Sequence, residues 1–529
     1  MLKILKDVTL DLSGPGLTAI VGHSGSGKTT LLDALCGRSN LAGLETVGIT
    51  NLACHNVSDS RSLHANDIAY AEQRDHLLPL LTVEETLKYA AALRLPHKSI
   101  EEQEAEVERV LQLLHLDGCR TTRLGNENTG GCSGGERRRV SIGVQLLQDV
   151  PILFLDEPTT GLDAKAALEV VKVLREMAEA GKAVVMTETN RAPVHQPRSE
   201  VRSLVDRCVI MSDGAVLYSG STAKCLAHLD AIGCPAPEHE NPFDFIMDLL
   251  GAGEFRPSVK ADPRSAPEDH SSLTTHVQGL VRPQECAPTA RTESKDWLHA
   301  FSRLRTHCGR AWKVTTRDHL GVLAGQLEAV FMGLACGLIF FHLGRDEAGI
   351  RSRQGALYVA CTIQPYITSV CEAYRLCDNI DFYERERRDG VVGPWTYYTS
   401  RRLVRLALDD VLVPLIFVAL FYPLSGLEKG AGHFFVFFAV QFLLHLASVN
   451  LATICTSFVR DFLAASLVAN LVLVTNFLTA GFLINTRHLP VWLQWTRWVS
   501  FVVSCQLHNF EEIMLIVAKA LRLQCARKQ

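Results

Sequence analysis

The amino-acid sequence predicts an α/β domain followed by an all-α transmembrane domain. The first prediction rests on residues 1–250, where apolar runs such as LTAIVG, PILFLD and AVVMT alternate with helical segments such as EEQEAEVERVLQLLHL. The second rests on long apolar segments that recur beyond residue 320. Composition agrees with a membrane part, because 47% of the 529 residues are hydrophobic.

Charge, cysteine content and the first residues narrow the class of protein. The formal net charge of −4 gives no reason to expect nucleic acid as a partner. The 16 cysteines form no CxxC pair and no Cys/His spacing typical of zinc, so they are expected to be reduced. The opening sequence MLKILKDVTLDLSGPG predicts no cleaved signal peptide. The α/β domain is therefore expected in the cytosol.

A polar segment, residues 251–295, separates the two predicted domains and has the Pro, Ser, Thr and charge content of a linker. Residues 296–320 then predict an amphipathic connecting helix, because apolar side chains recur at spacings of three and four with basic residues between them. The apolar positions are Trp297, Phe301, Leu304, Cys308, Ala311 and Thr315. This helix is expected at a membrane surface, with packing against the soluble domain as the alternative.

The predicted transmembrane domain, residues 321–529, holds five apolar segments near the roughly 20 residues needed to cross a bilayer. They are residues 321–343, 354–374, 403–424, 433–459 and 462–485. The arginine-rich connection between the second and third is expected on the cytosolic side, with the α/β domain. The last stretch, EEIMLIVAKALRLQCARKQ, has an apolar run too short to cross. Either a sixth span is missing or this tail lies along the interface.

Polar residues within these spans are further candidates. Glu328, Asp409 and Asp410 lie inside predicted spans, where ionisable groups are costly and often functional. The alternative is that they face the interface or pair with arginines such as Arg405. Three asparagines in the spans are expected to form hydrogen bonds between helices rather than contact a substrate. These are Asn450, Asn470 and Asn476.

A glycine-rich motif, GHSGSGKTT, follows the strand run LTAIV and precedes the helical run LLDALCG. Its strand, loop and helix order is that of a P-loop, in which backbone N–H groups cradle phosphates. Lys28 would reach the outer phosphates, and the Thr29 hydroxyl would bind Mg²⁺. The predicted nucleotide-binding residues are Gly22, His23, Ser24, Gly25, Ser26, Gly27, Lys28, Thr29 and Thr30.

Two further motifs lie in the same domain. PILFLDE is a buried strand that ends in two carboxylates: Asp156 suits Mg²⁺ coordination, and Glu157 suits activation of an attacking water. NTGGCSGGERRRVSIG contains a Ser-Gly-Gly turn that leads into a helix. That turn could bind an anion or serve only as a helix cap.

These motifs carry a resemblance to a known family. The P-loop, Gln73 in IAYAEQRD, CSGGERRRVSI, LFLDEPTTGLD and HQPRSE occur in the order found in ATP-binding cassette (ABC) nucleotide-binding domains. The N-terminal cassette, SGGERRRVS, HQPR and NPFDF resemble subfamily G. NPFDFIMDL and the context from LLQD to DEPTTGLD are similar to the sterolins, half-transporters that export sterols.

The resemblance implies ATP and Mg²⁺ as cofactors and assigns roles to individual residues. Gln73 would contact Mg²⁺ or the attacking water, so that Thr29, Gln73 and Asp156 form the metal set. Asp163 would connect two ATP sites, and His195 would contact the γ-phosphate as a catalytic residue beside Glu157. A signature set would cover the γ-phosphate of a nucleotide held by a partner subunit. It comprises Ser133, Gly134, Gly135 and Glu136.

The resemblance also implies a dimer, because the chain holds one cassette and one transmembrane domain. The partner would be a second half-transporter, with a heterodimer favoured, and ATP hydrolysis would move a sterol or another lipid across a membrane. A multi-pass protein of the plasma membrane is favoured. The alternatives are a White-type transporter of small hydrophobic compounds and a catalytically weak partner subunit.

Four features depart from the family pattern. Cys132 opens the signature where many cassettes have leucine, the strand that usually carries an adenine-stacking aromatic does not precede ILKDVTL, and the sixth span is not evident. The fourth is an insert: seven residues, 188–194, separate Thr187 from His195, whereas the family has one. If the strand keeps its register, Thr189 takes the place of the histidine. We favour His195, because the complete HQPRSE block follows the insert.

Overall fold

The computed structural model describes residues 15–36, 68–126, 130–189, 203–225, 296–344 and 346–479, with a few isolated positions between 4 and 12. The chain divides into two compact units, Met1–Phe301 and Ser302–Gln529. Each unit is described by itself. The predicted linker and residues 480–529, which include the end of the fifth predicted span, lie outside the described residues.

The first unit is built on a parallel sheet. Its described strands are β1 (Gly16–Gly22), β2 (Ile68–Ala71), β3 (Ile152–Leu155), β4 (Ala183–Glu188), β5 (Arg207–Ser212) and β6 (Ala215–Ser221). They lie in the order β2-β3-β4-β1-β5-β6, and only the β5–β6 pair is antiparallel. The strand that leads into the P-loop and the strand that leads into the acidic pair therefore both border β4.

Both faces of this sheet are covered, which explains the continuous apolar runs of its strands. Within β1, Leu17 and Ala19 join one hydrophobic cluster, whereas Ile20 joins another. The described helices of this unit are α1 (Lys28–Leu35), α2 (Val83–Arg94), α3 (Ile100–Leu113), α4 (Gly134–Leu146) and α5 (Ala164–Glu179). The α/β architecture predicted from the sequence is confirmed.

The elements described in the second unit are all helices, and the first of them begins before Ser302. Its elements are α6 (Asp296–Arg317), α7 (His319–Ile339), α8 (Glu347–Arg388), α9 (Pro394–Arg405), a π-helical turn (Leu406–Asp410), α10 (Leu412–Leu424), α11 (Ala431–Phe458) and α12 (Phe462–Leu478). The predicted connecting helix corresponds to α6. A close packing of α7 on α10 uses Gly333 and Gly337, since a Cβ on Gly337 would lie 2.8 Å from Leu424. This GxxxG spacing lets two helices approach closely.

Two described helices, α7 and α11, are long and apolar enough to cross a membrane, and α12 is a shorter apolar helix. The second predicted span lies inside the 42-residue helix α8, and the third is divided by the π-helical turn into α9 and α10. The helices α7 and α11 overlap the first and fourth predicted spans. For the second, third and fifth spans only the sequence argues for a membrane crossing, so the total of five spans stays a prediction.

Candidate nucleotide-binding site

The P-loop joins β1 to α1 through a tight turn. Gly25 and Gly27 have φ values of +85° and +96°, a left-handed region that favours glycine. At Gly22 the restriction is spatial, because a Cβ would lie 2.5 Å from the carbonyl oxygen of Met211. The loop backbone can therefore approach a ligand without side chains in the way.

Lys28 is held at the mouth of this loop. Its Nζ donates hydrogen bonds to the carbonyl oxygens of Gly22, at 2.8 Å, and His23, at 2.9 Å. Burial lowers the pKa of Lys28, and the nearby Glu157 and Asp156 carboxylates oppose that effect. These contacts place the ammonium group where the motif requires a cation for phosphate oxygens.

Asp156, directly after β3, connects the P-loop to β4. Its Oδ2 accepts a hydrogen bond from Thr29 Oγ1 at 2.9 Å, and its Oδ1 accepts one from Thr187 Oγ1 at 2.7 Å. Only 3% of Asp156 is exposed, and burial raises the pKa of its carboxyl. Hydroxyl and carboxylate oxygens this close together suit a hard divalent cation such as Mg²⁺.

Glu157 lies next to Asp156 in an unusual backbone conformation. Its φ of +46° is uncommon for a residue with a side chain, and such conformations cluster at functional sites. The carboxylate accepts hydrogen bonds from Gln73 Nε2 at 2.6 Å, from Thr160 Oγ1 at 3.0 Å and from the Thr189 hydroxyl. The ends of β2, β3 and β4 therefore meet at one carboxylate.

The segment that follows β4 is described up to Thr189. His195 lies outside the described residues. The strand β4 keeps its register into residues 188–194, since Glu188 still pairs with Val21 of β1. Thr189 follows directly and contacts Glu157, which is the place that unbroken register predicts for it.

The signature turn is a helix cap. Ser133 Oγ accepts a hydrogen bond from the backbone N–H of Glu136 at 3.2 Å, and the Glu136 carboxylate accepts one from the backbone N–H of Ser133 at 2.7 Å. This reciprocal capping box begins α4. Close packing also requires a glycine at position 135, because a Cβ there would lie 2.7 Å from the Cβ of Ala166 on α5.

Asp163 is also a cap in this structure. It precedes α5, and its Oδ1 accepts a hydrogen bond from the backbone N–H of Ala166 at 2.9 Å. Ser133 itself is exposed at the start of α4.

Arg138 is a residue of this site that the sequence did not single out. It is only 2% exposed, and it donates hydrogen bonds to the carbonyl oxygens of Glu72, at 2.6 Å, and Asp156, at 2.9 Å. It also pairs with Asp75 at 2.9 Å. Arg138 therefore fixes α4 to the segments that carry Gln73 and Asp156. Arg139 is also buried, at 8% exposed, and no sequence signal among the three consecutive arginines distinguished Arg138 as the one that reaches these segments.

Comparison with known proteins agrees with this geometry. Residues 5–160 match the family described as ABC transporter, and residues 303–506 match the ABC-2 type transporter family. The chain is 33% identical over 520 residues to human ATP-binding cassette sub-family G member 5, covering 95% of this chain and 78% of that protein. The chain belongs to the G subfamily of ABC transporters. Its ATP-binding domain precedes its membrane domain, as in the half-transporters of that subfamily.

Other relatives of this G-subfamily chain differ in length. Protein white of Drosophila melanogaster is 29% identical over 510 residues, with 94% of this chain and 72% of that protein covered. An uncharacterized ABC transporter ATP-binding protein/permease of Saccharomyces cerevisiae is 31% identical over 525 residues. The chain spans only 40% of the length of that yeast relative.

The helical unit of this G-subfamily chain holds a buried ionic cluster around the π-helical turn. Glu372 accepts hydrogen bonds from Arg402 and Arg405, each at 3.1 Å. Asp409 lies 3.3 Å from Arg375 and 3.7 Å from Arg405, while Asp410 lies 3.4 Å from Arg402. The alternative that the two aspartates pair with arginines is therefore the arrangement observed. Glu372 and its partners were missed because the pairing joins two distant helices.

The remaining polar candidates in the predicted spans differ in their contacts. Glu328 forms no ion pair within the described part of the chain, and its Oε1 is buried without a hydrogen-bond partner there. Asn450 accepts a hydrogen bond from the hydroxyl of Tyr398 on another helix, as predicted. Asn476 donates to the carbonyl oxygen of Val472 in its own helix at 2.8 Å.

Proposed function

We propose that the chain is an ATP-hydrolysing subunit of a dimeric transporter that moves a sterol or another lipid across a membrane. The observation that carries the ATPase part is the convergence of Thr29, Gln73, Asp156 and Glu157 beside the P-loop lysine. ATP and Mg²⁺ would be bound there, with the phosphates on Gly22 to Thr30. Thr29, Gln73 and Asp156 would hold the metal ion.

Catalysis would use Glu157 to orient and activate the attacking water. Its contacts support this role, since three side-chain donors from separate segments fix the carboxylate in place. His195 would contact the γ-phosphate. Mg²⁺ would neutralise charge on the phosphates, while Lys28 and the loop amides orient them.

A second half-transporter would complete each ATP site. Ser133, Gly134, Gly135 and Glu136 would face the γ-phosphate of the partner's nucleotide, and Asp163 would link the two sites. A helix start suits this contact, because its free N–H groups and its dipole attract an anion. We favour a heterodimer in the plasma membrane, with the nucleotide-binding domain in the cytosol.

The sterol or lipid substrate is supported by the resemblance of NPFDFIMDL to the sterolins, and the helical unit fits a membrane setting. The outer face of α7 exposes large apolar side chains at helical spacing, as a surface in contact with lipid would. They are Leu320, Leu323, Leu327, Phe331, Leu334 and Leu338.

Reconstituted dimers test the substrate class. Sterols are expected to stimulate ATPase activity more than pigment precursors or other small hydrophobic compounds do. A reversed order of stimulation would favour a White-type transporter.

A second candidate function is a catalytically weak partner subunit whose ATP site is structural. Thr189 favours this second candidate function. Its hydroxyl donates a hydrogen bond to the Glu157 carboxylate, at the position where the strand register predicts the family's histidine. A threonine cannot replace the imidazole contact to a phosphate. The two candidates differ in whether this chain's Glu157 is needed for hydrolysis.

A further inference from the structure

Two buried cysteines and a glutamate meet beside the start of α4. Cys119 ends a short 3₁₀ turn, Cys132 immediately precedes the capping residue Ser133, and Glu136 lies in the first turn of α4. The two sulfurs and a carboxylate oxygen all lie within 4.8 Å of one another. We propose that Cys119, Cys132 and Glu136 form a binding site for a thiophilic divalent cation of the zinc class.

The donor set selects the class of cation. Thiolates prefer Zn²⁺ over Mg²⁺ and Ca²⁺, which prefer oxygen ligands. With Zn–S bonds of about 2.3 Å and Zn–O bonds of about 2.1 Å, ligand atoms in a tetrahedral site lie roughly 3.5–3.8 Å apart. The three side chains therefore need shifts of about 1 Å at most. A water would take the fourth position.

The backbone holds these ligands in place before any cation binds. The N–H of Cys119 donates to the carbonyl oxygen of Leu116, and the N–H of Cys132 donates to that of Arg123, each at 3.1 Å. The Glu136 carboxylate is oriented by Ser133, whose backbone N–H and hydroxyl both donate to its Oε2. The cysteines are 6% and 3% exposed, whereas Glu136 is half-buried and leaves a route of entry.

Charge balance supports the same assignment. Two thiolates and one carboxylate carry three negative charges, and a divalent cation would leave one, close to Arg137 and Arg139. Burial raises the pKa of Cys119 to about 12 and also raises the pKa of Cys132, and cation binding must overcome this effect. Binding would release the two thiol protons to solvent, and the affinity would rise with pH.

A bound cation would restrain Cys132, which precedes Ser133, and Glu136, which forms the capping box with Ser133. It would thereby stiffen the turn that we propose to meet the partner's nucleotide. This consequence rests on the proposed function, whereas the cation site itself does not.

Co²⁺ binding to the purified full chain tests the site, with a phosphine reductant to keep the thiols reduced. We expect a thiolate-to-Co²⁺ charge-transfer absorption that one equivalent of Zn²⁺ displaces. Cys132→Leu should weaken Co²⁺ binding by at least about tenfold, and it places at this position the residue that many cassettes carry. Cys119→Ser should do the same. Glu136→Gln should weaken binding while it keeps the capping box, which accepts either residue.

The matched control is Cys208→Ser, a buried cysteine of β5 in the same unit, which should bind Co²⁺ like the unaltered chain. Variants are compared only after their unfolding transitions show that they fold. If Cys119→Ser does not fold, Cys132→Leu alone is sufficient for the test. The site is rejected if the unaltered chain shows no thiolate-to-Co²⁺ absorption. It is also rejected if Cys132→Leu binds Co²⁺ normally, or if Cys208→Ser loses as much binding. None of these readouts depends on ATPase activity, so the proposed function can fail separately.

Discussion

The hydroxyl of Thr189 donates a hydrogen bond to Oε1 of Glu157. On the other oxygen of the same carboxylate, Gln73 donates at 2.6 Å. Thr189 comes one residue after β4, whose register with β1 is unbroken to Glu188. The position beside Glu157 is therefore reached by the strand and the residue directly after it, and a histidine role for His195 would require the chain to return there.

Paired substitutions at Thr189 and His195 separate these possibilities. If His195 contacts the γ-phosphate, His195→Ala should lower ATPase activity of the assembled dimer by about 10²-fold or more. Thr189→Val removes one hydrogen bond worth about 1 kcal/mol and should lower it by tenfold at most. Steady-state phosphate release measures both. The reverse order would assign the position to Thr189.

Substitution of Arg138 should have a large effect on the stability of the fold. Arg138→Met would leave the Asp75 carboxylate and two buried carbonyl groups without their donor, and should destabilise the fold by about 3–5 kcal/mol. Arg137→Met is the control, because among the described residues Arg137 makes one hydrogen bond, to the carbonyl oxygen of Cys132, and its loss should cost about 1 kcal/mol. Denaturant unfolding of the full chain gives both values. Equal losses would contradict a bridging role for Arg138.

The ion pair between Glu84 and Arg120 should make the stability of the fold depend on pH. Hydrogen bonds from Arg120 and then from Lys88 hold the pKa of Glu84 at about 2, below its ordinary value of 4.5. The stabilisation is therefore fully present above about pH 4.5 and is lost as the pH falls through about 2. The difference in unfolding temperature between the unaltered chain and Glu84→Gln should shrink as the pH falls through this window.

The control for Glu84 is Glu101→Gln. Glu101 is exposed on α3 and forms no ion pair among the described residues. Its substitution should leave the unfolding temperature nearly unchanged at every pH. If the Glu84→Gln difference stays constant with pH, the ion pair does not stabilise the fold.

Two glutamates of the helical unit should respond in opposite ways. Glu372→Gln leaves Arg402 and Arg405 without their shared buried partner and should cost about 3–5 kcal/mol. Glu328→Gln removes a carboxylate that has no ion-pair partner in the described residues, and should be neutral or stabilising. Thermal unfolding in detergent compares the two. Similar destabilisation by both would show that the Glu372 cluster contributes no more than an unpaired carboxylate.

Local motifs made the α/β part predictable. A P-loop fixes its own strand, turn and helix order, and PILFLDE reads as a buried strand because both faces of the sheet are covered. The apposition of Thr29 and Asp156 followed from two strands that end at the same edge of a parallel sheet.

Contacts between distant segments were not predictable. The sequence showed three arginines in a row, and only the packing of α4 makes Arg138 the one that contacts Glu72 and Asp156. The same holds for Glu372, whose partners come from α9, and for Cys119, whose neighbours lie beyond a loop. Such pairings depend on tertiary packing, for which a single sequence carries no periodic signal.

Glu157→Gln tests the central claim, that this chain's own site hydrolyses ATP. The measurement is vanadate-sensitive phosphate release by the assembled dimer of full chains, with Glu179→Gln at the exposed end of α5 as a control of equal charge change. We predict that Glu157→Gln lowers phosphate release about 10²-fold if every ATP site belongs to a copy of this chain. If the partner supplies a second active site, phosphate release should fall by at least half. Unchanged phosphate release would contradict the claim and would make the chain a catalytically weak partner.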